Sequence, residues 1–205
     1  MTAWNDSDKT ANIEVSSDGL TATSTAGSAE GIRATDVRVY GPWYCELTCL
    51  QGTTAGTSFG FANPDADLAD IGPSTALCAV QLVTGGVFVN ENFQFNNGVL
   101  EEGDVLCIAY EGDERKVWFR KNGGFWNNDS GANPETLTGG IDVSDIDDDG
   151  LFPAFGSSTT GDAVEANFGA TPFAFDLPVG FTSWDGSITG TAPPPPPIQT
   201  VLLVS

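Results

Sequence analysis

Apolar residues recur at every second position in short runs along this chain, and no segment holds a helical period for three turns. A period of two belongs to the β-strand, whose successive side chains point to opposite faces; a helical stripe repeats every 3.6 residues. In Trp43-Tyr44-Cys45-Glu46-Leu47-Thr48-Cys49 the polar Glu46 and Thr48 alternate with apolar neighbours, the pattern of a half-buried strand. Comparable runs predict strands over 32–40, 43–50, 57–62, 77–83, 87–95, 104–110, 116–120 and 163–168. The stretch 104–110 is apolar on both faces and belongs in the middle of a sheet. Asn122-Gly123, after Val117-Trp118-Phe119, is a type I′ hairpin signal. The expectation is an all-β sandwich over residues 1–186, followed by a proline-rich segment over 187–205. A chain of 205 residues suits one large domain and buries roughly 70% of its unfolded surface, enough for a core without metal or disulfide staples.

Composition removes several functions. Twenty-eight acids face seven bases, for a net charge of −21. Such a surface repels phosphate backbones and anionic lipid, so neither nucleic acid nor a membrane surface is an expected partner. Solubility is the plain reading of the charge, and adaptation to a salty medium the sharper one. The chain has no histidine. That removes the common general base, every Ser–His or Cys–His pair and most zinc sites. Cys45, Cys49, Cys78 and Cys107 form no C-x-x-C pair and lie in apolar runs. Buried free thiols are expected, with a disulfide of unassigned pairing as the alternative. The opening Met1-Thr-Ala-Trp-Asn-Asp is not a secretion signal, and no stretch approaches the roughly 20 apolar residues of a membrane span. Synthesis as a soluble cytoplasmic protein is the corresponding expectation.

The end of the sequence reads differently. Pro193 to Pro197 are an unbroken proline run, which favours extended polyproline II spanning about 15 Å. Ile198, Val201, Leu202 and Leu203 follow in a short strand-like stretch. A stiff spacer ending in an apolar strand predicts a docking arm; a disordered terminus is the alternative. Residues 130–150 are polar, Gly-rich and acidic, and predict a long surface loop.

Several segments, in order, resemble the SPRY domain family. Trp4-Asn-Asp-Ser and Leu20-Thr-Ala-Thr resemble its opening strands. Gly41-Pro42-Trp43-Tyr44-Cys45-Glu46 resembles the family's Gly-Lys-Trp-Tyr-Phe-Glu strand, with Pro42 replacing the usual lysine. Phe59-Gly60-Phe61-Ala62 is similar to its Ile-Gly-Ile-Ala strand. Gly103-Asp104-Val105 through Asn122-Gly123 resembles the stretch Gly-Asp-Val-Ile-Gly-Val followed by Phe-x-Lys-Asn-Gly. Leu151-Phe-Pro153-Ala, Asn167-Phe168-Gly169 and Pro178-Val-Gly180-Phe181 resemble the closing strands. The resemblance spans about residues 4–184 and implies a concanavalin-like bent antiparallel β-sandwich that binds through loops at one end and carries out no chemistry. The closing motifs most resemble SPRY domains on tailed-phage and prophage virion proteins. That implies a capsid decoration, head-fibre or tail-fibre component, displayed on a particle and contacting other virion proteins through the arm, either singly or as a homo-oligomer. A carbohydrate- or receptor-binding adhesin facing a host glycan is the first alternative, and a cytoplasmic peptide-binding adaptor the second.

Three further stretches carry chemistry worth weighing. Asp145, Asp147 and Asp149 with Gly150 match the first half of a calcium loop, D-x-D-x-D-G. Alternate carboxylates can converge on Ca²⁺ once glycine permits the turn. The twelfth position is Gly156 and not the bidentate glutamate, so Asp142 or Asp162 would have to close the site; otherwise this is a solvated acidic turn. No cofactor is otherwise required. Glu111-Gly-Asp113-Glu114-Arg-Lys116 resembles the E-x-D-x-x-E strand of sandwich-fold glycosidases, but Lys116 replaces the third acid and Gly112-Asp113 predicts a turn. In Phe125-Trp126-Asn127-Asn128 aromatics stand beside amides, suited to stacking on a sugar ring or a partner side chain, or to covering the sandwich edge. Arg115, Lys116, Arg120 and Lys121 split between two strand faces and are expected to pair with acids of neighbouring strands or of an acidic sister subunit. Trp43, Tyr44, Trp118, Phe168 and Phe181 are expected in the core.

Overall fold

The structure, a computed structural model, describes residues 1–52, 56–70, 77–146 and 149–190. Its strands in chain order are β1 (Trp4–Lys9), β2 (Ile13–Val15), β3 (Thr21–Ser24), β4 (Glu30–Ala34), β5 (Pro42–Gln51), β6 (Ser58–Ala62), β7 (Leu77–Gln81) and β8 (Gly86–Val89). There follow β9 (Asn92–Asn96), β10 (Val105–Glu111), β11 (Lys116–Lys121), β12 (Ile141–Asp142), β13 (Phe152–Ser157), β14 (Ala163–Asn167) and β15 (Thr182–Ser183). They build two sheets, ordered β1-β4-β13-β6-β7-β8-β9 and β12-β11-β10-β5-β14-β3-β2. Neighbours on both paths run antiparallel; β15 lies off the second path and pairs parallel with β5. Helical structure among the described residues is limited to three short 3₁₀ turns.

The alternation within β5 explains the layering. Cys45, Leu47 and Cys49 enter the inter-sheet core with Trp43 at its margin, while Tyr44 and Glu46 point to the opposite face. Trp184 closes one end of that core, stacked on Phe61 at 5.1 Å. β10, apolar on both faces, lies between β5 and β11 and is buried along its whole length. All four cysteines are buried free thiols. Burial pushes the Cys49 and Cys107 thiols up to about 11, which keeps them protonated and unreactive near neutrality.

Three local expectations need correction. The run 32–40 stops being a strand at Ala34. Thr35 N then donates to Ala3 O, and Arg38 turns to bond Trp184 O with its guanidinium over the Trp43 ring. The run 87–95 is a hairpin of β8 and β9, reversed at Asn90 and Glu91, both with positive φ (47° and 68°). Conversely, Asn122-Gly123 makes no hairpin. The Asn122 side chain accepts from Val105 N (2.9 Å) and donates to Asp104 Oδ1 (2.8 Å), tying off the open end of the β10–β11 pair. The β10–β11 turn itself is 112–115, with Glu111 opposite Lys116, as the glycine in Glu111-Gly-Asp113 predicts.

Candidate binding cleft on the covered sheet face

The outer face of the second sheet is not left to solvent over β5, β10 and β11. Tyr44, Cys107, Ala109 and Trp118 project there and are buried beneath two returning segments, 122–140 and 169–181. Each segment is held by specific hydrogen bonds. Glu46, 2% exposed, accepts from Tyr44 Oη (2.8 Å), Ala174 N (2.8 Å) and Phe175 N (2.9 Å). A buried carboxylate is tolerable only with such donors around it, and charge-assisted bonds to backbone N–H groups are the strong kind. On the other segment, Asn133 Oδ1 caps the 3₁₀ turn Pro134–Thr136 by accepting from Glu135 N, and Trp118 Nε1 donates to Thr138 O at 2.7 Å. Gly140 lies so close to the Trp118 indole that a Cβ there would come within 2.5 Å of the ring. Arg120 joins the two segments: Nη2 donates to Asp176 O (2.7 Å) while the guanidinium sits 4.3 Å from the Trp126 ring centroid.

Where the two covers meet, they leave a cleft in two lobes. The larger, about 420 Å³, is lined by Glu135, Asp176, Leu177, Val179 and Ile188. The second, about 260 Å³, is reached past Glu135 and Val179 and bordered by Pro42, Glu111, Leu137 and Phe181. Val179 N donates to Glu135 Oε1 at 2.9 Å, fixing the wall between the lobes. Three carboxylates and no cation line the described cleft. Burial, together with the nearby Asp113 and Glu114 charges, raises the Glu111 carboxyl above the usual range, against an opposing hydrogen bond from Asp113 N. Apolar walls beside carboxylates favour a ligand that is cationic in part and apolar in part.

The sequence-predicted residues fall in different places. Trp126 is 9% exposed, with Arg120 over its ring and Tyr44 edge-on at 6.5 Å, and it covers the sheet. Asn127 is also internal: Oδ1 accepts from Phe119 N and Nδ2 donates to Gly139 O. Phe125 and Asn128 are exposed. Asp145 and Asp149 are exposed, Asp147 lies outside the described residues, and no cluster of three metal-ligating side chains occurs among the described residues. Asp142 accepts from Ser144 N, and Asp162 is buried accepting from Thr57 and Ser157. Pro193, Pro197, Ile198, Val201, Leu202 and Leu203 lie outside the described residues. The stretch 130–150, expected as a long surface loop, is mostly exposed among its described residues but also contributes β12 and, through Ala132, part of the cover. Lys121 pairs with Asp104 at 2.6 Å. Tyr44, Trp118, Phe168 and Phe181 are buried as expected, with Trp43 partly so. Sequence reasoning missed the cleft because its residues come from 42, 111, 134–137 and 176–190, which only the fold brings together.

Neither a protein-family model nor a curated protein matches the sequence. Solved structures do match. The SPRY domain of human HERC1 is similar with a TM-score of 0.67 at 14% identity, over 83% of this chain and all of that one. A human SPRY domain is similar with a TM-score of 0.59 at 17% identity, over 78% of this chain and 98% of that one. With its two antiparallel sheets and almost no helix, the chain has the SPRY-type β-sandwich fold.

Proposed function

We propose that the protein is a non-enzymatic binding and assembly module that takes a cationic, partly apolar protein segment into the cleft around Glu135 and Asp176. The observation that carries this reading is the carboxylate-lined, apolar-walled cleft, pinned to a rigid sheet through Glu46. A site so anchored loses little entropy on binding. The similarity to SPRY domains is consistent with a binding role, and the absence of histidine removes the usual acid–base machinery. The finer reading places the module on a phage-type particle, anchored by Pro193–Pro197 and the apolar 198–203 stretch; it rests on the closing sequence motifs. The cleft is tested by selecting from a random peptide library on the immobilised protein. Enrichment of Lys/Arg beside aliphatic residues is expected, with affinity falling about tenfold or more in Glu135→Lys/Asp176→Lys, since opposite charges become like charges. Selected peptides without basic residues, or binding indifferent to the charge reversal, would overturn the reading.

A further inference from the structure

We infer that two copies of the chain associate edge to edge through β9, independently of the cleft. Among the described residues β9 is the last strand of its sheet, so part of one side of its backbone presents N–H and C=O groups with no strand partner, while Asn96 O is taken by Asn128 Nδ2. Proteins usually block such an edge with charge or brevity. The other three edges comply: β1 carries Asp6, Asp8 and Lys9, β2 is three residues with Glu14, and β12 is two residues with Asp142. β9 reads Asn-Phe-Gln-Phe-Asn and is exposed along most of its length.

Its surroundings carry little net charge, Lys121 beside Val99 O being paired with Asp104. Residues 92–100 and 122–128 contain no charged side chain in a chain whose net charge is −21. Asn128 Nδ2 donates to Asn96 O (3.2 Å), holding the second neutral stretch against the first. Phe93, Val99 and Phe125, exposed by 60%, 43% and 65%, belong to these two stretches.

The neutrality identifies the occupant. A cationic partner would be drawn to the acidic remainder of the surface, whereas a second copy carries the same negative field and can approach only where that field is weakest. Antiparallel pairing of identical strands also satisfies a twofold axis. Phe93 packs edge-on against Phe88 (5.6 Å), while Phe95 packs against the inter-sheet core. An axis through Phe93 therefore sets the two exposed rings side by side and places Glu91 of each copy against Phe95 of the other, so no carboxylate meets a carboxylate. The register shift at Gln94 bends the strand and limits the shared ladder, which makes the dimer weak and dependent on concentration.

The test is sedimentation equilibrium of the full chain over a concentration series, with about 0.5 M salt to screen the net charge. A monomer–dimer equilibrium is expected. Phe93→Glu, which opposes two carboxylates at the axis, should weaken it by about tenfold or more. Tyr40→Glu, on an exposed residue outside the neutral stretches, should not. Phe125→Glu provides a second disrupting variant should Phe93→Glu melt abnormally. A chain that stays monomeric at about 0.5 mM in that screening salt, or a dimer unaffected by both Phe93→Glu and Phe125→Glu, overturns the proposal.

Discussion

Glu30 stands at the start of β4, where its carboxylate accepts from Ser28 Oγ (2.7 Å), Asn12 Nδ2 (2.7 Å) and Asn12 N (3.3 Å). Burial opposes its ionisation, but the donors from Ser28, Thr10 and Asn12 outweigh that and hold the carboxyl at about 2. Because the folded value lies below the unfolded one, the unfolded chain binds the proton first as pH falls. The contribution is complete above roughly pH 4.5 and is lost between there and about pH 2. Urea midpoints followed across that window should fall for the wild-type chain and fall less steeply for Glu30→Gln; parallel curves would exclude the linkage. The same scale explains Trp126. Aromatics beside amides are a legitimate contact signal, yet the ring is already satisfied by Arg120 and Tyr44, an outcome invisible without knowing which segments return over the sheet.

Element-level behaviour turns on the 169–181 segment. It has no strand ladder of its own, and it stays on the sheet through Glu46, Arg120 and the apolar contacts of Phe173, Phe175 and Leu177. Glu46→Gln keeps the shape but turns one acceptor into a donor, leaving Ala174 N or Phe175 N unpaired. The expected cost is about 2 kcal/mol in urea unfolding, with faster hydrogen exchange at those two amides while β5 and β10 amides stay protected. Unchanged exchange at 174 and 175 would show that the segment is held without the Glu46 bonds. At this scale the alternating runs located most of the central strands, but not how they connect. Two residues of positive φ at Asn90-Glu91 make a hairpin without the glycine that usually marks one, and Asn122-Gly123, which carries that mark, is used to cap a strand pair.

For the molecule as a whole, the charge of −21 shapes every encounter. Such a charge disfavours phosphate and anionic lipid, and on the proposals above it favours cationic segments in the cleft and leaves the β9 edge as the place for self-contact. The arm acts at this scale too. If residues 193–205 anchor the module to a particle, a chain truncated after Ala192 should unfold at the wild-type temperature but fail to enter particles. Wild-type incorporation of the truncated chain would refute the anchoring role.

The sequence by itself determined the all-β class and the central place of β10; the SPRY-type fold was what the ordered motifs implied, and that the buried cysteines are free was settled only by the structure. The first two follow from side chains alternating across a pleat and from apolar runs too short and wrongly spaced for helices. Only the tertiary structure decided that β5, β10 and β11 are covered on their outer face. That cover rests on contacts over long sequence separations, such as Glu46 to Ala174 and Arg120 to Asp176, and no local period records them. The cleft and the exposed β9 edge have the same origin. They are set by where segments distant in sequence stop covering the sheets, which depends on the packed arrangement of the whole chain.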